Sequence, residues 1–107
     1  MSDLIQTRSE FFQMLALTTT EVDSLVAREP AYGVWGGLQR QLQAMREWTA
    51  KGATPTPEQL GRINIGLVAA RELEPPPDPA MEDLVHRLHL LAYYWRRYTM
   101  PGSARSG

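Results

Sequence analysis

The two histidines of the chain lie three residues apart, a spacing that could support metal chemistry. Asp83 precedes His86 by three residues, and His89 follows one helical turn later. Carboxylate–histidine pairs at this spacing bind metals in helical proteins when a second such pair faces them. The chain has no other histidine and no cysteine, whereas a metal site needs three or four convergent ligands. The pattern is more typical of a solvated helix face, so we expect no metal and no cofactor.

Three glycines, Gly33, Gly36 and Gly37, superficially resemble a phosphate-binding loop. Such a loop follows a strand and directs backbone N–H groups and a helix N-terminus at the anion. No strand pattern precedes these glycines, and close packing of one helix on another explains them better. The serines and threonines lack a histidine partner in a plausible sequence context. We therefore expect no catalytic residues and no enzymatic activity.

Acidic residues are concentrated in the segment 72–83, and the only positive charge that flanks the segment is Arg71. The acids are Glu72, Glu74, Asp78, Glu82 and Asp83. Prolines at 75–77 and 79 stiffen the segment, which lowers the cost of ordering it when a partner binds. Acids are also favoured near a helix start by the helix dipole. The segment predicts a rigid, solvated acidic surface rather than paired carboxylates for acid–base catalysis.

Large aromatic side chains are more numerous than a small helical core can bury fully. They are Tyr32, Trp35, Trp48, Tyr93, Tyr94, Trp95 and Tyr98. Tyrosine and tryptophan are enriched in the energetically dominant parts of protein interfaces, yet both also occur half-buried on ordinary surfaces. Two interpretations stay open. Either Trp35 and Trp95 belong to the core and the tyrosines are half-exposed, or at least two of the seven belong to an interface.

Length and composition indicate one globular domain. The chain has 107 residues, 43% of them hydrophobic, and a formal net charge of −1. This charge balance argues against nucleic-acid binding, even though Arg96 and Arg97 lie beside Tyr98. No apolar run reaches the length of a membrane span, and the first residues do not resemble a signal peptide. Together with the absence of cysteine, these features predict a cytoplasmic protein with no membrane contact.

Prolines divide the chain into four segments in which apolar residues recur at three- and four-residue steps, the period of one helix face. Thr56 before Pro57 and Asp78 before Pro79 are typical helix starts. The predicted helices span approximately 7–28, 32–51, 57–73 and 79–99. The predicted buried side of the third helix consists of Leu60, Ile63, Leu67, Val68 and Ala70.

These patterns predict an all-α protein, a compact antiparallel bundle of about four helices. Short connections favour antiparallel neighbours. The bundle would form a single helical domain at 1–100, and the polar residues 101–107 would form a flexible C-terminal tail.

Four short motifs occur in an order that resembles a known family. They are Ala27-Arg28-x-Pro30-x-Tyr32, Arg40-Gln41-Leu42-Gln43, Val68-Ala69-Ala70-Arg71-Glu72 and Asp78-Pro79. Together they resemble small immunity proteins of the type VI secretion system, which protect bacteria against a toxin that hydrolyses NAD and NADP. The similarity covers roughly residues 10–97. The chain departs from the family at Gly36 and Gly37, around Trp95, and in its proline run, which looks one residue longer.

The resemblance implies a compact helical protein that is not an enzyme. It also implies an antitoxin that binds a cognate effector toxin domain, encoded by the adjacent gene, at or beside its substrate cleft. A toxin that consumes a nucleotide must hold phosphates, so its cleft should be basic, and an acidic inhibitor surface would complement it. The expected contact residues are Tyr32 or Trp35, as an apolar anchor, with Glu72, Glu74, Glu82 and Asp83.

A second hypothesis is a helical adaptor or chaperone that self-associates through its aromatic stripe. It predicts a homo-oligomer that forms without any toxin, whereas the immunity hypothesis predicts a stoichiometric complex with a foreign domain. A third hypothesis, a small helical enzyme, would need a constellation of polar residues in a pocket, and the sequence offers no candidate for one.

Overall fold

The computed structural model describes residues 7–97, and the regular structure in that range is entirely helical. The helices are α1 (Arg8–Arg28), α2 (Gly33–Trp48), α3 (Pro57–Gly61), α4 (Ile65–Val68) and α5 (Pro79–Arg97). A 3-10 turn at Ala50–Gly52 follows α2, and a π-helical turn at Ala69–Leu73 continues α4. The predicted all-α fold is confirmed. The predicted tail at 101–107 and the predicted helical residues 98–99 lie outside the described residues.

The core lies between the three long helices, with α4 and the π-helical turn packed against α5. The largest fully buried side chains are Phe11, Leu15, Val22, Leu38, Leu42, Met45, Ile65, Leu84, Leu88, Leu91 and Trp95. Trp95 lies at the centre of an aromatic stack, with its ring centroid 6.4 Å from that of Phe11 and 6.2 Å from that of Trp48. Within residues 7–97, no helix combines the length and the apolar character that a bilayer crossing requires.

The prediction of one continuous third helix at 57–73 is wrong, because the chain leaves the helical path at 63–64. Ile63 and Ile65 are both buried, although residues two positions apart point to nearly opposite sides of a helix. A break between them lets both side chains enter the core. The side chain of Gln41 holds the break: its Oε1 accepts from the Asn64 backbone N–H at 2.7 Å, and its Nε2 donates to Asn64 Oδ1 at 2.6 Å.

The break also changes which residues of this segment are buried. Leu67 and Ala70, both predicted to face the core, are exposed, whereas Ala69 is fully buried. The π-helical turn that begins at Ala69 then brings Leu73 into the core. The spacing of the apolar residues therefore predicts a continuous helix, which the structure does not form.

The predicted close packing at Gly33, Gly36 and Gly37 is also wrong. A Cβ atom added to Gly33 would meet no atom within 4 Å, and one added at either of the other two would meet only the end of an arginine side chain. The close approach lies at Gly66, where an added Cβ would be 3.0 Å from the Cβ of Ala92. Glycine at position 66 therefore allows α4 to pack directly on α5.

A charged residue, Arg87, joins α5 to α1 through the edge of the core and is only 8% exposed. Its Nε donates to Asp83 Oδ2 at 2.9 Å, and its Nη1 donates to the hydroxyl of the buried Thr18 at 3.0 Å. Its Nη2 pairs with the carboxylate of Glu21. A guanidinium is tolerated at this depth only when its donors are satisfied. The bonds to Thr18 and Glu21 therefore connect α5 to α1, while Asp83 orients the guanidinium from within α5.

We expect Arg87→Met to lower the free energy of unfolding by about 2 kcal/mol, because Thr18 and the two carboxylates would lose a charged, mostly buried donor. Urea unfolding followed by circular dichroism measures the change. Arg62→Met is the matched control, since Arg62 pairs with Glu58 on the exposed surface and such pairs contribute at most about 1 kcal/mol. Equal losses in the two variants would contradict the role assigned to Arg87.

Candidate partner-binding site

An open groove of about 610 Å³ lies between the proline-rich segment 74–79 and the first half of α5. Three of the predicted contact residues, Glu74, Glu82 and Asp83, line it together. The other lining residues are Pro76, Pro79, Val85, His86 and His89. We call this depression the acidic groove.

Two acids of the acidic groove already have partners within the chain. Glu74 Oε2 lies 2.7 Å from Nε2 of His89, which ties the proline-rich segment to α5. Asp83 accepts the hydrogen bond from Arg87, while Glu82 is exposed. Each carboxylate has a second oxygen that can accept a hydrogen bond from another molecule. The groove is therefore a negative surface whose walls are fixed before any partner arrives.

Of the remaining predicted contact residues, Glu72 lines a second depression, between the start of α2 and the π-helical turn, whereas Tyr32 and Trp35 do not line it. This cleft is lined by Gly33, Val34, Gly37, Leu38, Gln41, Asn64, Leu67, Val68, Arg71 and Glu72. The hydroxyl of Tyr32 donates to the backbone carbonyl of Glu72 at 3.3 Å, so the two residues meet across the fold. We call this depression the α2 cleft. Glu72 and Glu74 are two residues apart in the chain, and each lines a different depression.

Tyr32 and Trp35 differ sharply in what they offer a partner. Trp35 is 3% exposed, and its indole Nε1 donates to the carboxylate of Glu29 at 2.8 Å. Tyr32 is 40% exposed, and its ring packs edge-on against Trp35 with the centroids 5.5 Å apart. Trp35 therefore belongs to the core and supports Tyr32, while Tyr32 presents aromatic surface to the solvent.

No group of three or more metal-ligating side chains converges anywhere in residues 7–97. Two of the side chains that the spacing offered as metal ligands instead contact other residues of the chain. Asp83 accepts a hydrogen bond from Arg87, and His89 contacts Glu74.

Two exposed side chains near these depressions were not among the predicted contact residues. Leu67 lines the α2 cleft and is exposed because the third helix is broken. Tyr93, on α5, is 51% exposed, and the guanidinium carbon of Arg97 lies 4.3 Å from the centroid of its ring. The sequence does mark Tyr93 as one of several aromatics, but only the orientation of α5 separates it from the buried Trp95.

We expect Trp35→Ala to lower the free energy of unfolding by about 3 kcal/mol or more, because it leaves a large cavity in the core. Tyr32→Ala should cost about 1 kcal/mol or less, since its ring is already partly solvated. Urea unfolding followed by circular dichroism compares the two variants. Similar losses at the two positions would contradict their division into a core residue and a surface residue.

Comparison with known proteins identifies the family of the chain. The model of the Tsi6 family matches residues 10–94, which contain both depressions described above. Comparisons with curated proteins and with solved structures returned no match. Because the family match covers most of the 107 residues, the chain belongs to the Tsi6 family, a family of type VI secretion immunity proteins.

Proposed function

We propose that this protein neutralises the toxin domain of a cognate effector, encoded by the adjacent gene, by binding it and occluding its active site. Membership of an immunity family supports the binding of an effector. The observation that carries the surface assignment is a set of exposed acids, Glu72, Glu74 and Glu82, which flank the proline-stiffened connection between the π-helical turn and α5. This surface is where we expect the toxin to bind.

The acidic surface suits rapid association with a basic cleft. Prolines at 75–77 and the contact between Glu74 and His89 restrict the segment in the free protein. A segment that is already ordered loses little conformational entropy on binding. Complementary charges also speed the encounter of two proteins, with an effect that weakens as salt is added.

Tyr32 is the proposed apolar anchor. Its hydroxyl is held by the Glu72 carbonyl and its ring by Trp35, so the side chain is oriented before the partner arrives. Tyrosine combines a large contact area with few rotatable bonds, which makes it efficient at interfaces. Tyr32 lies beside the acidic residue Glu72, so an apolar contact and a charged contact would form close together.

The effector chemistry that fits this surface is the consumption of a phosphate-bearing nucleotide, and NAD(P) hydrolysis is the form we propose. A cleft that holds the phosphates of a dinucleotide must present positively charged groups. Carboxylates from an inhibitor can pair with the same groups, so inhibitor and substrate would exclude each other.

Self-association through the aromatic stripe as a whole has less support. Trp35 and Trp95 are both buried in the core of a single chain, so they offer little surface to a second molecule. The buried members of the stripe stabilise the fold instead.

The first test is to co-express the protein with a catalytically disabled effector domain from the adjacent gene. We expect a stoichiometric complex on size-exclusion chromatography, because the acidic surface and Tyr32 would both be covered. Adding the protein to the active domain should suppress NAD consumption as the ratio approaches equimolar. Absence of a complex would contradict the proposed function, and a complex that leaves turnover unchanged would contradict occlusion of the active site.

A second test measures the contribution of the acids. Glu72→Lys combined with Glu82→Lys should lower the association rate constant roughly tenfold at low salt and flatten its salt dependence. These positions are chosen because Glu74 and Asp83 also hold His89 and Arg87. Glu47→Lys, an exposed change on α2, is the control. Unchanged kinetics in the double variant, measured by surface plasmon resonance, would contradict the acidic-surface assignment.

A further inference from the structure

The solvent-facing side of α5 carries charges that change sign along the helix. Its residues recur at steps of four and three, the spacing of the contact stripe in paired helices. They are Glu82, His86, His89, Tyr93 and Arg96, and none of them is buried. The opposite side of α5 supplies core residues, including Leu84, Leu88, Leu91 and Trp95. We call the exposed stripe the α5 seam.

The helix dipole accounts for part of this pattern, but not for all of it. Acids near the start of a helix and arginines near its end are favoured on any isolated helix. The dipole does not explain why a large aromatic side chain is half-exposed near the basic end of α5. Tyr93 is 51% exposed, with Arg97 stacked on its ring and Tyr94 packed edge-on against it at 5.0 Å between centroids. Tyrosine is enriched among the energetically dominant residues of interfaces, so this outward ring is a candidate contact.

A groove that fits the Tyr93 ring of a second copy lies beside the same helix. The acidic groove has apolar walls formed by Pro76, Pro79 and Val85, and its volume exceeds that of a tyrosine side chain. Its carboxylates would also neutralise the arginines that accompany the ring. Val85 precedes Tyr93 by eight residues, about 12 Å along a helix. An exposed ring and a groove of opposite charge therefore lie side by side on one face.

We propose that, before an effector binds, the α5 seam is the contact surface of a homodimer in which two copies of α5 cross antiparallel at His89. Because this dimer covers the acidic groove, an effector that binds there would displace the second copy. Positions equally distant from His89 face each other across such a two-fold axis. Glu82 and Arg96 are both seven residues from His89, so each glutamate meets the arginine of the second copy. Val85 and Tyr93 are both four residues from it, so each ring enters the groove of the other copy.

Charge complementarity between the two ends of the seam favours a second copy of the chain as the occupant. A basic effector cleft would pair with the acids of the groove alone, whereas a second copy also supplies an aromatic ring for the groove and an arginine for Glu82. A contact surface that pairs with itself in this way is what a two-fold dimer requires. The net charge of −1 also leaves little overall repulsion between two copies.

A charge-swap experiment on the full chain alone tests the dimer, so its result is independent of any effector. Sedimentation velocity over a concentration series should show a monomer–dimer equilibrium for the unmodified protein. Glu82→Arg or Arg96→Glu alone should raise the dimer dissociation constant roughly tenfold or more, because each places like charges together twice. An equimolar mixture of the two variants should form a heterodimer, since the two reversed positions then face each other.

Two controls separate the seam from general effects of charge or folding. Glu47→Arg, on the exposed surface of α2, should leave the equilibrium unchanged. Tyr93→Ala should weaken the dimer while its circular dichroism spectrum stays that of the unmodified protein. The proposal is overturned if the unmodified chain stays monomeric throughout the series, if both single variants dimerise normally, or if their mixture fails to associate.

Discussion

The guanidinium of Arg87 is the contact on which the placement of the two longest helices depends. It lies nearly buried between α1 and α5, and its hydrogen bonds reach Thr18 and Glu21 on one helix and Asp83 on the other. An unpaired charge at this depth is costly, so arrangements of α1 and α5 that break these bonds are disfavoured. On α5, Leu88 and Leu91 lie in the core, and no residue of the α5 seam is buried.

Local sequence signals predicted the long helices well, because such signals act over a few residues. Threonine before proline starts α3 with a complete capping box, as expected. The break after α3 has no comparable local signal. It depends on a pair of amide contacts between Gln41 and Asn64, which are 23 positions apart. The close approach at Gly66 depends equally on a distant helix, so no spacing near it distinguishes that glycine from the three in α2.

The candidate site shows the same division between local and distant information. The density of acids and prolines between 72 and 83 is visible in the sequence, and the acidic groove forms where that segment folds back along α5. The different exposure of Tyr32 and Trp35 is not visible, because both are aromatics near the start of one helix. Their exposure depends on which way α2 is rotated against the core, and Glu29 fixes the indole in its place.

The proline-rich segment is attached to the rest of the fold mainly at its ends. Leu73 is buried at one end and α5 begins at the other, where Asp78 caps the helix, while Pro75 and Pro77 between them are exposed. Exposed connecting residues tolerate replacement and insertion far better than core residues do. Mutations there can reshape a wall of the acidic groove at little cost to folding. The fold thus separates the residues on which folding stability depends from exposed residues whose replacement changes the surface and little else.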